Sequence, residues 1–149
     1  MLRARLSLLL SLVLLTACGA SNYAKPGFVT MRIDNRLWIF REDSPELAEF
    51  QETGEPSHCV TVTDVGPEGM TLRGPDHDTI HSYLCCRDGF FVQALDGELW
   101  VFETESPELE AFLRGARPAE PATLENAGPR GLTLRGADEE TLRRYLDAG

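Results

Sequence analysis

The chain repeats itself. Aligned with itself at an offset of 62 residues and without a gap, Asp34, Leu37, Trp38 and Phe40 return as Asp96, Leu99, Trp100 and Phe102. Ser44, Pro45, Glu46 and Leu47, with Phe50, return as Ser106 to Leu109 with Phe112. The string Gly66, Pro67, Gly69, Thr71, Leu72, Arg73, Gly74 returns as Gly128, Pro129, Gly131, Thr133, Leu134, Arg135, Gly136. Asp76, Thr79, Tyr83 and Leu84 return as Asp138, Thr141, Tyr145 and Leu146. A fixed period of this length is one supersecondary unit used twice. Whatever backbone the first copy adopts, the second must adopt as well.

The copies span 28–87 and 88–149, and each reads the same way. Val29, Met31 and Ile33 alternate with polar residues. Asp34-Asn35, or Asp96-Gly97 in the second copy, supplies a two-residue turn tolerant of positive φ, and Leu37 to Phe40 is the returning strand. Ser44 before Pro45 and Glu46 is an N-cap, a first-turn proline and an acid at a helix start, with Leu47 and Phe50 on one face. Val60 and Val62 alternate with threonines, a Gly-Pro-Glu-Gly turn follows, and Met70 to Arg73 return as a strand. Asp76 caps a last helix carrying Ile80, Tyr83 and Leu84. The expected fold class is α+β, with two tandem β-β-α-β-β-α repeats packed as one pseudo-two-fold body. In the strand at 37–40 both faces are apolar, so it needs two covers: helices on one side and the sister repeat on the other.

The segment ahead of the repeats has a different character. Arg3 and Arg5 precede the apolar run LSLLLSLVLL, which is shorter than the roughly 20 residues a bilayer span requires, and the run ends at Leu15, Thr16, Ala17 and Cys18. Basic start, short apolar stretch and small residues are the order of a secretion signal. Leu15 to Cys18 resembles the lipobox of bacterial lipoproteins. That resemblance covers residues 1–18 only, and implies a signal peptide at 1–17, removed when a diacylglyceryl thioether forms at Cys18, whose amine is then acylated. It implies outer-membrane sorting where the source has two membranes, because Gly19 stands where that family uses Asp for inner-membrane retention. The body then faces the periplasm, held by lipid at Cys18, with 18–27 as lipidated cysteine and short polar tether.

With 24 acids against 14 Lys plus Arg and a net charge of −10, the chain lacks the clustered positive face that phosphate neutralisation needs, so a nucleic-acid partner is excluded. The same acidity leaves attachment to an anionic bilayer to the lipid. No G-x-S-x-G elbow, Walker A loop or G-x-G-x-x-G follows a strand, and no nucleophile and base stand at useful spacing. The expectation is a body that binds an envelope protein or a small ligand and is not an enzyme.

Four residues shared by the copies are binding candidates. Trp38 and Trp100 either line a groove or belong to the core, and Arg73 and Arg135 either hold a carboxylate ligand or pair with a nearby acid. The other candidates are confined to the first copy. His77, His81 and Cys85 fall at spacings of four on one helix, a stripe suited to Zn or Cu, which His58 and Cys59 complete if the third strand runs beside that helix. The competing reading has solvated histidines and, outside the cytosol, a disulfide from Cys59 to Cys85 or Cys86, since a vicinal Cys85–Cys86 bond needs strained geometry. One thiol is then left over, able to join two molecules as a covalent homodimer. A metal-binding or thiol-redox protein is therefore the alternative to a plain binding module.

Overall fold

The computed structural model describes residues 23–149, so the signal peptide and Cys18 lie outside the described residues. The first unit is built from β1 (Phe28–Ile33), β2 (Arg36–Arg41), α1 (Pro45–Thr53), β3 (Val60–Val62), β4 (Thr71–Gly74) and α2 (His77–Cys85). The second repeats it as β5 (Phe90–Leu95), β6 (Glu98–Glu103), α3 (Pro107–Leu113), β7 (Ala122–Leu124), β8 (Thr133–Gly136) and α4 (Glu139–Asp147). The fold is α+β, two similar β-β-α-β-β-α units packed together, as the internal repeat requires.

Local chemistry sets the boundaries. Asp34 and Asp96 take φ of 55° and 53° at the two hairpin turns. The Leu47 N–H donates to Ser44 Oγ at 3.2 Å and the Leu109 N–H to Ser106 Oγ at 3.1 Å, starting α1 and α3. Asp76 and Asp138 accept from the Thr79 and Thr141 N–H at 2.6 and 2.7 Å, starting α2 and α4. Each cap satisfies a donor that the first turn cannot.

Each unit has one four-stranded mixed sheet, in the orders β1-β2-β4-β3 and β5-β6-β8-β7. The inner pair is parallel, Leu37 opposite Leu72 and Leu99 opposite Leu134. Parallel neighbours need a long crossover, which is why a helix and a short strand lie between β2 and β4. The two apolar faces of β2 are covered separately. Trp38 and Phe40 pack with Leu47 and Phe50 of α1, and Trp100 and Phe102 with Leu109 and Phe112 of α3. Leu37 and Ile39 face the other way into a central cluster, where Ile80 and Tyr83 of α2 meet Phe90, Val92, Leu99, Val101 and Leu142 of the second unit. Helices therefore cover both faces, and the sister unit completes the inner one.

The first unit begins before residue 28, in the stretch expected to be tether. Tyr83 Oη donates to the Tyr23 carbonyl at 2.8 Å, and Tyr145 Oη to the Cys85 carbonyl at 2.7 Å, one period on. Lys25 Nζ donates to the Tyr83 carbonyl at 2.8 Å and lies over its ring, and Arg87 does the same to Tyr145 and its carbonyl. Residues 23–27 are thus a strap across α2, and 85–89 the equivalent strap across α4. Cys85 ends α2 and opens the second strap, so the two units share backbone.

Candidate functional site at the seam between the units

Where α2 meets β5 the copies stop being alike. Arg41 Nη2 donates to the Val92 carbonyl at 2.6 Å, and the Ala94 N–H donates to Ser82 Oγ at 2.7 Å. These contacts cover the outer edge of β5. One period on, Glu103 and Arg144 stand in place of Arg41 and Ser82 and form an ion pair with each other. On α4 a polar pair therefore stands where α2 carries its contacts to β5.

Two clefts flank Arg41. One, of about 210 Å³, is lined by Asp76, Thr79, Ser82, Gln93 and Ala94. The other, of about 370 Å³, is lined by Gly27, Phe91, Gln93 and Leu113. The guanidinium lies 4.2 Å from the Phe28 ring centroid and 5.0 Å from that of Phe91. Burial pulls its pKa down to about 10, so it is still a cation at neutral pH.

The residues singled out from sequence are dispersed. Trp38 and Trp100 are 5% and 7% exposed, under α1 and α3. Arg73 stacks 4.2 Å over Trp38 and bonds Glu55 Oε1 at 3.3 Å and Cys59 Sγ at 2.7 Å. Arg135 bonds Glu98 Oε1 at 2.8 Å, while Arg117 lies over Trp100. Arg73 and Arg135 are each engaged with an acid of their own unit.

The His/Cys stripe does not converge. The rings of His77 and His81 are 6.2 Å apart, but Cys85 is buried in the central cluster. A four-residue step advances about 40° around a helix, so over eight residues the stripe turns by about 80°, from solvent to core. His58 lies exposed ahead of β3, and among the described residues no group of three or more His, Cys, Asp or Glu side chains is placed to hold a metal. The expected Cys59 disulfide is not made either. All three cysteines of the body are free. Cys59 packs against the outer cluster and Cys85 and Cys86 against the central one, so the sheet separates them.

Burial raises the pKa of both Cys85 and Cys86 above the ordinary 9.0, which keeps them protonated and poor as nucleophiles or ligands. Burial also pushes the Tyr83 hydroxyl up to about 12 and raises that of Tyr145. The folded state holds these four protons more tightly than the unfolded chain does. Their contribution is fully present below the unfolded values and is lost as pH climbs through 9 toward 12. Arg41, whose pKa is depressed, acts oppositely but only above about 10. The urea midpoint is therefore expected to fall between about pH 8 and about pH 10. Replacing Cys85 and Cys86 by alanine should reduce that fall, and an unchanged slope would place the thiols outside the pH dependence.

Arg41, Ser82, Phe91 and Gln93 were not singled out from sequence. The signal was present in the alignment of the copies, where Arg41 faces Glu103 and Ser82 faces Arg144, but two substitutions far apart in the chain meet only once α2 is laid on β5. Comparison with protein-family models, with curated proteins and with solved structures gives no match to this chain.

Proposed function

We propose that this chain is a bacterial lipoprotein, acylated at Cys18, whose duplicated α+β body is a non-catalytic binding or structural module of the cell envelope. The observation that carries the reading is the order at 1–18: Arg3 and Arg5, the short apolar run, then Leu15, Thr16, Ala17 and Cys18. Acyl chains hold the body at the outer membrane, facing the periplasm, where the source has two membranes, and at the outer leaflet of the cell membrane where it has one. Each buried CH₂ contributes about 0.8 kcal/mol and one chain alone holds weakly, so attachment needs several. The acidic body adds no attraction to an anionic bilayer. Among the described residues no helix is long and apolar enough to cross a membrane, which leaves lipid as the attachment this reading uses.

In cells fed labelled palmitate, the parent protein should carry the label and sediment with membranes, while Cys18→Ser should lose the label altogether. Label retained in the Cys18→Ser variant would sink the reading.

A further inference from the structure

We propose that His77 and His81, one turn apart on α2, form a two-imidazole site for a borderline divalent cation of the Zn²⁺ or Cu²⁺ class. The inference goes beyond the reading of the body as a binding module and stands without it.

The two histidines are the part of the His/Cys stripe that stays together. A step of four residues carries a side chain about 40° around a helix and about 6 Å along it, so residues at i and i+4 share one flank. A second such step takes Cys85 into the core, but a single step does not. Ile80 and Tyr83 occupy the buried face of α2 and Ser82 the side toward β5, while His77 is exposed and His81 half-buried. Among the described residues neither imidazole has a hydrogen-bond or ion-pair partner, and their ring contact is with each other, 6.2 Å between centroids.

A neutral imidazole presents one nitrogen lone pair in the ring plane, the donor that Zn²⁺ and Cu²⁺ take readily. With metal–nitrogen bonds of about 2.0–2.1 Å, a shared ion sets the two ring centres about 5 Å apart. The exposed His77 side chain can close the present separation by rotating toward His81. The surroundings favour a cation. α2 starts at His77, where the helix dipole places about half a positive charge, but Asp76 and Asp78 flank that residue with two negative ones, on a chain of net charge −10. These acids act through their charge and are not ligands, since among the described residues no third side chain joins the pair around one point. Two protein donors leave the remaining positions of the ion to water or to a donor from a partner, an open site in contrast to the closed four-ligand structural kind. Imidazole also selects the ion. Ca²⁺ and Mg²⁺ take oxygen ligands and gain little from it.

The second copy has no such site. Glu139 and Arg143 hold the equivalent positions on α4, and Arg143 Nε donates to Glu139 Oε1 at 2.9 Å. That pair joins two turns of helix directly, whereas on α2 the same two positions carry lone pairs with nothing between them.

The test uses the full chain, purified without a histidine tag in non-ionic detergent micelles, titrated with Zn²⁺ alone and separately with Ca²⁺, and followed by the imidazole ¹⁵N signals. Zn²⁺ should shift the ring signals of His77 and His81 together, saturably and at one ion per chain, and leave His58 unmoved. It should also raise the melting temperature, because the ion binds the folded helix. Ca²⁺ should do neither. His77→Asn and His81→Asn should each melt like the metal-free parent and bind Zn²⁺ about tenfold or more weakly, because either imidazole acts on an ion held by the other at high effective concentration. Cys59→Ala should bind Zn²⁺ as the parent does, which separates the site from the part-exposed thiol. A shift at one ring only or at neither, an equal response to Ca²⁺, parental affinity in either asparagine variant, or loss of binding in Cys59→Ala would overturn the proposal. The ring signals of the parent decide the matter without any variant.

Discussion

Ser82→Arg is expected to cost about 4 kcal/mol or more of the stability of the fold, whereas the reverse change one period on, Arg144→Ser, should cost almost nothing. Ser82 is 1% exposed. Its hydroxyl accepts from the Ala94 N–H at 2.7 Å and donates to the Asp78 carbonyl at 2.6 Å, fastening the edge of β5 to α2. An arginine there must displace β5 or bury a cation without a partner, and it leaves the Ala94 N–H unsatisfied. Overpacking and an unmade buried donor each cost about 1–3 kcal/mol, and a stranded charge adds to both. The sum is about 4 kcal/mol or more, against a usual total of about 5–15 kcal/mol. Arg144 has 49% of its side chain exposed and pairs with Glu103 at 39%. An exposed pair of this kind contributes about 0–1 kcal/mol. Urea midpoints of the two variants measure the contrast, and similar losses in both would mean that the α2–β5 contact is not what sets the copies apart.

The period of 62 residues makes nearly all of the local structure legible in the sequence. Turn chemistry at Asp34 and Asp96, caps at Ser44 and Asp76, and the two-faced strand at 37–40 all appear where residue type and spacing place them, because each is decided within a few residues of chain. What was not legible is long-range. That β4 pairs with β2, in parallel, depends on a crossover whose path no local residue encodes. That residues 23–27 form a strap, and not a tether, depends on the Tyr83 hydroxyl and ring lying beneath it; the sequence offers only a weak match there, since Tyr23 and Ala24 face Cys85 and Cys86 one period on.

The candidate site was less legible than the fold, and for a related reason. Attention to reactive residue types selected His77, His81 and Cys85, of which helix geometry turns Cys85 away. The seam residues are an arginine, a serine, a phenylalanine and a glutamine, none of them conspicuous. Duplication lets each unit form the same internal contacts, so new chemistry can arise only where the units meet and their environments differ. Arg41 and Glu103 occupy equivalent backbone positions, yet Arg41 has a β5 carbonyl to bond and Glu103 has only Arg144. A repeat is thus best searched for function at positions where its copies disagree and both side chains are polar or charged.

The repeated glycines of the Gly-Pro-x-Gly turns give the second large effect. Gly66→Ala should cost about 3 kcal/mol, the upper part of the usual range for forcing atoms into a packed core. A Cβ on Gly66 would stand 2.5 Å from Leu72 Cδ2 and 2.7 Å from the Met70 carbonyl oxygen. Neither can retreat. Leu72 is fully buried in the central cluster, and the Met70 carbonyl accepts the Gly66 N–H at 2.9 Å to close the turn. The φ of Gly66 is −80°, open to any residue, so the requirement is space and not conformation. Gly128 repeats the geometry, at 2.5 Å from Leu134 Cδ2 and 2.8 Å from the Leu132 carbonyl oxygen, and Gly128→Ala should cost the same. Gly69, three residues on in the same turn, is the reverse case. Its φ is +72° and nothing lies within 4 Å of its missing Cβ, so Gly69→Ala should cost only the left-handed penalty of about 1–2 kcal/mol. Denaturant midpoints for the three variants separate the two causes, because repacking around Leu72 relieves Gly66→Ala and does nothing for Gly69→Ala. The added substitution Leu72→Val should therefore recover part of the loss in Gly66→Ala, and a purely additive double variant would rule out the steric account.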